Sequence, residues 1–167
     1  LKKGDKGLCG VRANSNGELV TLVGNVVTAV NMDPVEKKPL YHFLPGSRTF
    51  SIGSAGCNFF CKYCQNSSIA HIPPSGLVPG KRPTPEDLIV LAQENHARSM
   101  AFTYNEPTVF FELVYETAGL AIARDIRCLL VTNGYMSEEC LQALSRRVCA
   151  VNVDLKSFRD NFYRQYC

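Results

Sequence analysis

From residue 47 onward, short apolar runs alternate with stretches of helical periodicity, and this alternation most narrows the folds open to the chain. Residues 48–52, 100–104, 127–131 and 150–155 read as four strands. Thr84, followed by Pro85, Glu86 and Asp87, starts a helix that places Leu88, Leu91 and Ala92 on one face. Thr108 is expected to cap a second helix carrying Phe111, Tyr115, Ala118 and Ile122. Ser137 opens a third with Leu141, Leu144 and Val148. Ser157 and Asp160 box a fourth with Phe158, Phe162 and Tyr166. Strands that alternate with helices predict an α/β fold, with a parallel sheet and helices on its outer side.

Residues 1–46 differ. They are rich in Gly, Pro and polar residues, with β-like pieces at 18–23 and 26–30 and the turn signal Asn14-Ser15-Asn16-Gly17. They predict a β-rich N-terminal extension lying across a main domain of residues 47–167. The 167 residues suffice for one domain with a sizeable core. A net charge of +3 is too mild to point to nucleic acid, and no stretch approaches the roughly 18 apolar residues of a membrane span. The eight cysteines sit in a chain well supplied with core residues, unlike a secreted disulfide framework, so a reducing, cytoplasmic setting is expected. Cys128, Cys140 and Cys149 read as buried thiols, and His42, His71 and His96 as surface or turn residues. The chain opens on Leu1 rather than methionine, which leads us to expect a fragment.

In parallel sheets ligands gather at the carboxyl ends of the strands. Each predicted strand runs into residues suited to that task. The first leads into Cys57, Cys61 and Cys64, and the second into Asn105-Glu106-Pro107. The third leads into Thr132-Asn133-Gly134, and the fourth into Asp154-Leu155-Lys156. Glu106 offers a carboxylate to a ligand ammonium, or an acid to a helix start. Asp154 and Lys156 share a face, where they can pair with each other or serve a zwitterion.

Three thiols within CNFFCKYC select iron–sulfur clusters, zinc or copper(I). A four-iron cluster takes four ligands, so a loop with three leaves one corner for something else. A zinc knuckle completed by a remote ligand such as Cys9 is the other reading of the same residues. Phe59, Phe60 and Tyr63 flank the cysteines and would limit water access.

The spacing C-x₃-C-x₂-C, with Tyr63 before the last cysteine, resembles the signature of the radical S-adenosylmethionine (SAM) superfamily. The stretches GLCGVRAN (7–14), residues 34–66 and FTYNEPT (102–108) further resemble the AmmeMemoRadiSam-system enzymes, relatives of the pyruvate formate-lyase activating enzyme. This resemblance implies a partial (β/α) barrel, here of about four units and truncated relative to the family. It implies a [4Fe–4S] cluster on Cys57, Cys61 and Cys64, whose fourth iron chelates SAM. SAM contacts would come from Tyr63, Asn105, Glu106, Asn133, Asp154 and Lys156. Tyr104-Asn105 stands where the family has two glycines, and Val131 where the activating enzymes have an acid.

The implied activity is reductive cleavage of SAM to a 5′-deoxyadenosyl radical that abstracts hydrogen, as in glycyl-radical activating enzymes. An electron donor such as flavodoxin or ferredoxin and a protein substrate are the implied partners. In that group Cys9 belongs to a cysteine cluster whose other members lie upstream. The alternatives are a non-catalytic zinc or iron–sulfur module, and an inactive truncated fragment.

Overall fold

Asn16-Gly17 turns the first hairpin, with both residues at positive φ (55° and 98°), as a two-residue turn between right-twisted strands requires. The computed structural model, which describes residues 1–73, 76 and 78–167, places β1 (Arg12–Ser15) against β2 (Glu18–Thr21) in this antiparallel pair. The Pro-rich stretch 72–83, whose composition reads as a connector between the strand at 48–53 and the helix that starts at Thr84, lies partly (Pro74, Ser75 and Leu77) outside the described residues.

The main sheet has five strands in the order β3-β4-β5-β6-β7. These are β3 (Ala29–Pro34), β4 (Arg48–Gly53), β5 (Ser99–Phe102), β6 (Arg127–Thr132) and β7 (Ala150–Val153). The last four are parallel, as the strand–helix alternation predicts. β3 is different: it runs antiparallel to β4, pairing Ala29 with Gly53 and Pro34 with Arg48. The sheet thus begins inside the segment read as an extension, and three residues later than the β-like piece at 26–30. Its alternation of Asn31 and Asp33 with apolar neighbours suits an edge strand.

After the short α1 (Ser67–Ala70), helices α2 (Pro85–Glu94), α3 (Phe111–Ile122) and α4 (Glu138–Ser145) connect the parallel strands. They cover the sheet face that carries Phe50, Ile52, Met100, Phe102, Cys128 and Leu130. Thr84 caps α2 in a capping box with Asp87. The buried face of α2 is Leu88, Ile89 and Ala92, while Leu91 is exposed. In α3 the core face is Leu113, Val114, Thr117, Ala118 and Ala121, and Ile122 points to solvent. Each helix abuts both the sheet and a neighbouring helix, so its buried arc is rotated from the single stripe expected. Leu144 anchors α4, whereas Leu141 is exposed. Cys128 is buried, Cys140 partly so, and Cys149 exposed.

On the opposite face, Ala101 and Leu129 meet Val35, and Leu40, Phe43, Val131 and Ala150 pack around them. Residues 35–43 therefore close the inner side of the sheet. A buried ionic knot reinforces this closure. Asp33 accepts from Lys38 Nζ at 2.7 Å, Lys37 Nζ at 2.9 Å and the Tyr104 hydroxyl at 2.7 Å. Burial opposes the Asp33 charge, but these three donors hold its carboxyl well below the usual range. Among the described residues no helix is long and apolar enough to cross a membrane.

Candidate functional site

Beyond Gly53 at the end of β4, the chain passes through Ser54, Ala55 and Gly56 into the cysteine loop. Gly56 has φ +85°, and a side chain there would meet the Cys9 carbonyl oxygen and Val11 at 2.8 Å. The β1 segment therefore lies directly behind the first cysteine. Arg12 fixes that segment to the barrel through a bidentate pair with Glu112 and a 3.2 Å bond to the Val109 carbonyl.

The loop is tied to the next strand end by an asparagine. Asn105 Oδ1 accepts from Ser54 N at 3.0 Å, and its Nδ2 donates to the Gly56 carbonyl at 2.7 Å. Asn66, past the last loop cysteine, donates to the Tyr104 carbonyl at 2.8 Å. Tyr104 sits at φ +70°, left-handed backbone that costs a non-glycine residue roughly 1–2 kcal/mol. The turn sends its ring beside Gly53, where a Cβ would be 3.0 Å from the ring, and down to Asp33. Burial and the bond to Asp33 push the Tyr104 phenol up to about 12. Tyr104 thus adopts a backbone conformation that glycine favours.

Glu106 is 2% exposed, and its carboxylate is turned into the protein. Oε1 accepts from Thr108 N (3.2 Å), Thr108 Oγ1 (3.0 Å) and Thr132 Oγ1 (2.7 Å), and Oε2 accepts from Asn133 N (2.8 Å). Glu106, not Thr108, caps the turn Pro107–Phe110 that leads into α3. The acid expected to face a ligand is therefore first a clamp between the ends of β5 and β6. A carboxylate offers about four lone-pair directions. Oε1 is saturated, and Oε2 keeps one direction free.

Asn133 carries the network back to the loop. Its Nδ2 donates to Asn58 Oδ1 at 2.7 Å and stands 3.9 Å from the Cys57 sulfur. Asn58 in turn donates to the Tyr135 carbonyl at 2.8 Å. The Phe59 amide points at the same sulfur from 3.4 Å. Cys57 thus receives N–H groups from two directions, a setting that favours a thiolate. Burial works the other way and pushes both the Cys57 and Cys61 thiols up, Cys61 to about 11.

Lys156 and Asp154, past the end of β7, form an ion pair. The Lys156 side chain is mostly covered and feels Cys61 and Cys167, while Asp154 is half exposed. Burial opposes the lysine charge, but Asp154 and the neighbouring sulfurs hold its pKa above the ordinary value. Lys156 is therefore the one cation of the predicted set that faces the thiols.

Several neighbours escaped the sequence reading. α5 (Asp160–Tyr166) lies on the cysteine loop, where Phe60 N donates to the Cys167 carbonyl at 2.6 Å and Lys62 N to the Tyr166 carbonyl at 2.9 Å. Tyr63 stands 5.9 Å from Phe162, and Phe59 is 5.9 Å from Tyr163 and 5.7 Å from Tyr135, ring to ring. His71 stacks on Phe60 at 5.5 Å. Arg159 rather than Ser157 occupies the cap position of α5, and Phe158 is almost wholly exposed. The thiol beside Cys61 is Cys167, and the Cys9 backbone lies behind Gly56.

The donor set fits an iron–sulfur cluster. Three thiols share one loop, Cys57 is close enough to Cys61 and Cys64 for their charges to interact, and N–H groups face its sulfur. They are neighbours rather than a closed cage: among the described residues no three His, Cys, Asp or Glu side chains already surround a metal point.

Comparison with known proteins agrees with this chemistry. Residues 51–167 match the family model of the Radical SAM superfamily. The protein MJ0808 of Methanocaldococcus jannaschii, described as uncharacterized, is 38% identical over all 167 residues. The chain spans about half the length of that curated relative, 49% of it. The crystal structure of QueE from Escherichia coli superposes with a TM-score of 0.57 at 16% identity, over 83% of this chain and 63% of that one. That likeness bears on the fold.

Proposed function

Because the chain belongs to the radical SAM superfamily, we propose that it is the catalytic core of an enzyme that cleaves SAM reductively, with Cys57, Cys61 and Cys64 holding a [4Fe–4S] cluster. The observation that carries this reading is the meeting of the three thiols with Lys156 and Asn133 at the carboxyl end of a parallel sheet. A cluster held by Cys57, Cys61 and Cys64 would supply the single electron needed to split the sulfonium–carbon bond of SAM. The protein's own part is to bind, orient and exclude water.

Lys156 is the group suited to the SAM carboxylate, and Asp154 holds it in place. The free lone-pair direction on Glu106 Oε2 suits the SAM ammonium. Tyr63 lines the side where the adenine would lie. Asn105 and Asn133 hold the loop and the two strand ends at fixed spacing, which is the positioning task that such chemistry requires. The aromatic residues around the loop restrict water near the sulfurs.

The finer reading is hydrogen abstraction from a protein glycine, with electrons from a flavodoxin- or ferredoxin-type donor in the cytoplasm. Two features support it: the resemblance to activating enzymes in residues 7–14, 34–66 and 102–108, and a rim of exposed Phe60, Tyr63 and Tyr135 around the site. Such a rim suits a macromolecular partner better than a small polar one.

Anaerobic reconstitution with iron and sulfide tests the proposal. The expected result is about four irons and four sulfides per chain and 5′-deoxyadenosine formation under a strong reductant. A single tightly held zinc with no SAM cleavage overturns it.

A further inference from the structure

Residues 31–38, far upstream in the chain, build a socket for a side chain that belongs to the frame of the site. Tyr104 follows β5 and stands two residues before Glu106. Its φ of +70° is left-handed backbone, which a residue with a Cβ keeps only where its surroundings hold it. Two polar groups supply that hold. The Tyr104 phenol donates to Asp33 Oδ2 at 2.7 Å, a charge-assisted bond, and accepts from Asn31 Nδ2 at 3.0 Å. The Lys38 ammonium, 2.7 Å from the same carboxylate oxygen, lies 4.7 Å from the centre of the ring. Gly53 leaves room for that ring, since a Cβ there would be 3.0 Å from it. Asp33 and Lys38 are only 4% and 3% exposed, so the socket is itself packed in place. The backbone leaving Tyr104 carries Asn105, which bonds to Ser54 and Gly56 ahead of the first cysteine, and then Glu106. Rotation of residue 104 into right-handed backbone would redirect the peptide that carries both.

We propose that Asp33 is a positioning residue for the SAM ammonium: through the Tyr104 phenol it holds the left-handed turn and so sets where Glu106 Oε2 stands. The inference rests on the SAM reading above and deepens it, because it brings β3, the one antiparallel strand of the main sheet, into ligand recognition. Asp33 acts only through Tyr104 and touches no ligand itself.

The test measures, by calorimetry on the full chain reconstituted with iron and sulfide, the binding of SAM and of 5′-methylthioadenosine, which lacks the ammonium and the carboxylate. Tyr104→Phe keeps the ring and removes the tether. Its SAM affinity should fall about tenfold, while its affinity for methylthioadenosine stays within about twofold of wild type. Tyr104→Gly takes up left-handed backbone without a tether, so SAM affinity should return to within about threefold of wild type. In the Tyr104→Phe background, Asp33→Asn should change SAM affinity by less than about twofold. Wild-type SAM affinity in Tyr104→Phe, equal losses for the two ligands, no recovery in Tyr104→Gly, or a larger further loss in the double variant overturns the proposal. Should wild type bind no SAM, the function proposed above fails separately. Amide hydrogen exchange of the metal-free chain then decides the tether. The Ser54 N–H, bonded to Asn105 Oδ1, should exchange at least about tenfold faster in Tyr104→Phe than in wild type and Tyr104→Gly. Equal rates in all three overturn it.

Discussion

The two halves of the site are built on different principles. The half made by Asn105, Glu106, Thr132 and Asn133 is buried except for the half-buried Asn133, and nearly every polar atom in it has a protein partner. The half made by the thiols, Lys156 and α5 is more exposed, with Asp154 half open and Cys57, Cys64 and Cys167 only partly covered. The first half holds its form through the protein's own hydrogen bonds. The second presents donors whose strongest possible partners are not side chains. A site that must accept a large ligand needs both, a frame that does not move and a face that is not already satisfied.

This contrast can be broken from either side. The largest expected effect is on the open half: Cys57→Ala, Cys61→Ala or Cys64→Ala should each reduce iron binding more than about 100-fold, beyond the ~10–100-fold typical of outer partners. Iron and sulfide analysis checks this, and the melting temperature of each metal-free variant should stay close to that of wild type. On the closed half, Glu106→Ala removes the acceptor for four hydrogen bonds. At roughly 1–3 kcal/mol for each buried donor left unpaired, a loss of about 4 kcal/mol in urea unfolding is expected. A loss below about 1 kcal/mol would show that Glu106 is not the clamp described.

Asp33→Asn is expected to cost about 3 kcal/mol, because Lys38 is then left buried without its counter-charge. It also carries a pH signature. The folded pKa of Asp33 is depressed, so its contribution is fully present above the unfolded carboxylate pKa of about 4 and is lost as pH falls through the folded value. Wild type should therefore lose stability on acidification from about pH 4 downward, and Asp33→Asn should lose less over the same range. Parallel slopes for the two proteins would remove Asp33 from the account. The smallest effect is expected for Asn133→Ala, about 1 kcal/mol in stability, since its side chain spans the two halves through a few neutral bonds. Its sharper readout is a shift in the cluster's reduction potential, through the N–H group near the Cys57 sulfur.

The parallel strands and the polar residues that follow them were legible because apolar runs and polar stops are local signals. Cys57, Cys61, Cys64, Asn133 and Lys156 all fall where the strand-end argument puts them. The helix faces were read one position off at Leu91 and Ile122, because packing against two neighbours rotates the buried arc. β3 was displaced in the reading because an edge strand bearing Asn31 and Asp33 has no continuous apolar run. The orientation of Glu106 depends on Thr132 and Asn133, more than twenty residues away, and no local pattern reports it. The same holds for Cys167, which meets Tyr63 across more than a hundred residues. A positive φ at Tyr104 is likewise unsuspected from a residue type that rarely adopts it.

The contact between Gly56 and the Cys9 backbone makes the segment leading into the first hairpin a mechanical support for the cysteine loop. Force applied to residues 9–12 passes through Gly56 to Cys57 within one peptide unit, with Arg12 and Glu112 as the anchor bolt on the far side. Binding, cleavage or sequence change at the amino-terminal segment would therefore be felt at the first sulfur, although no side chain of that hairpin enters the site.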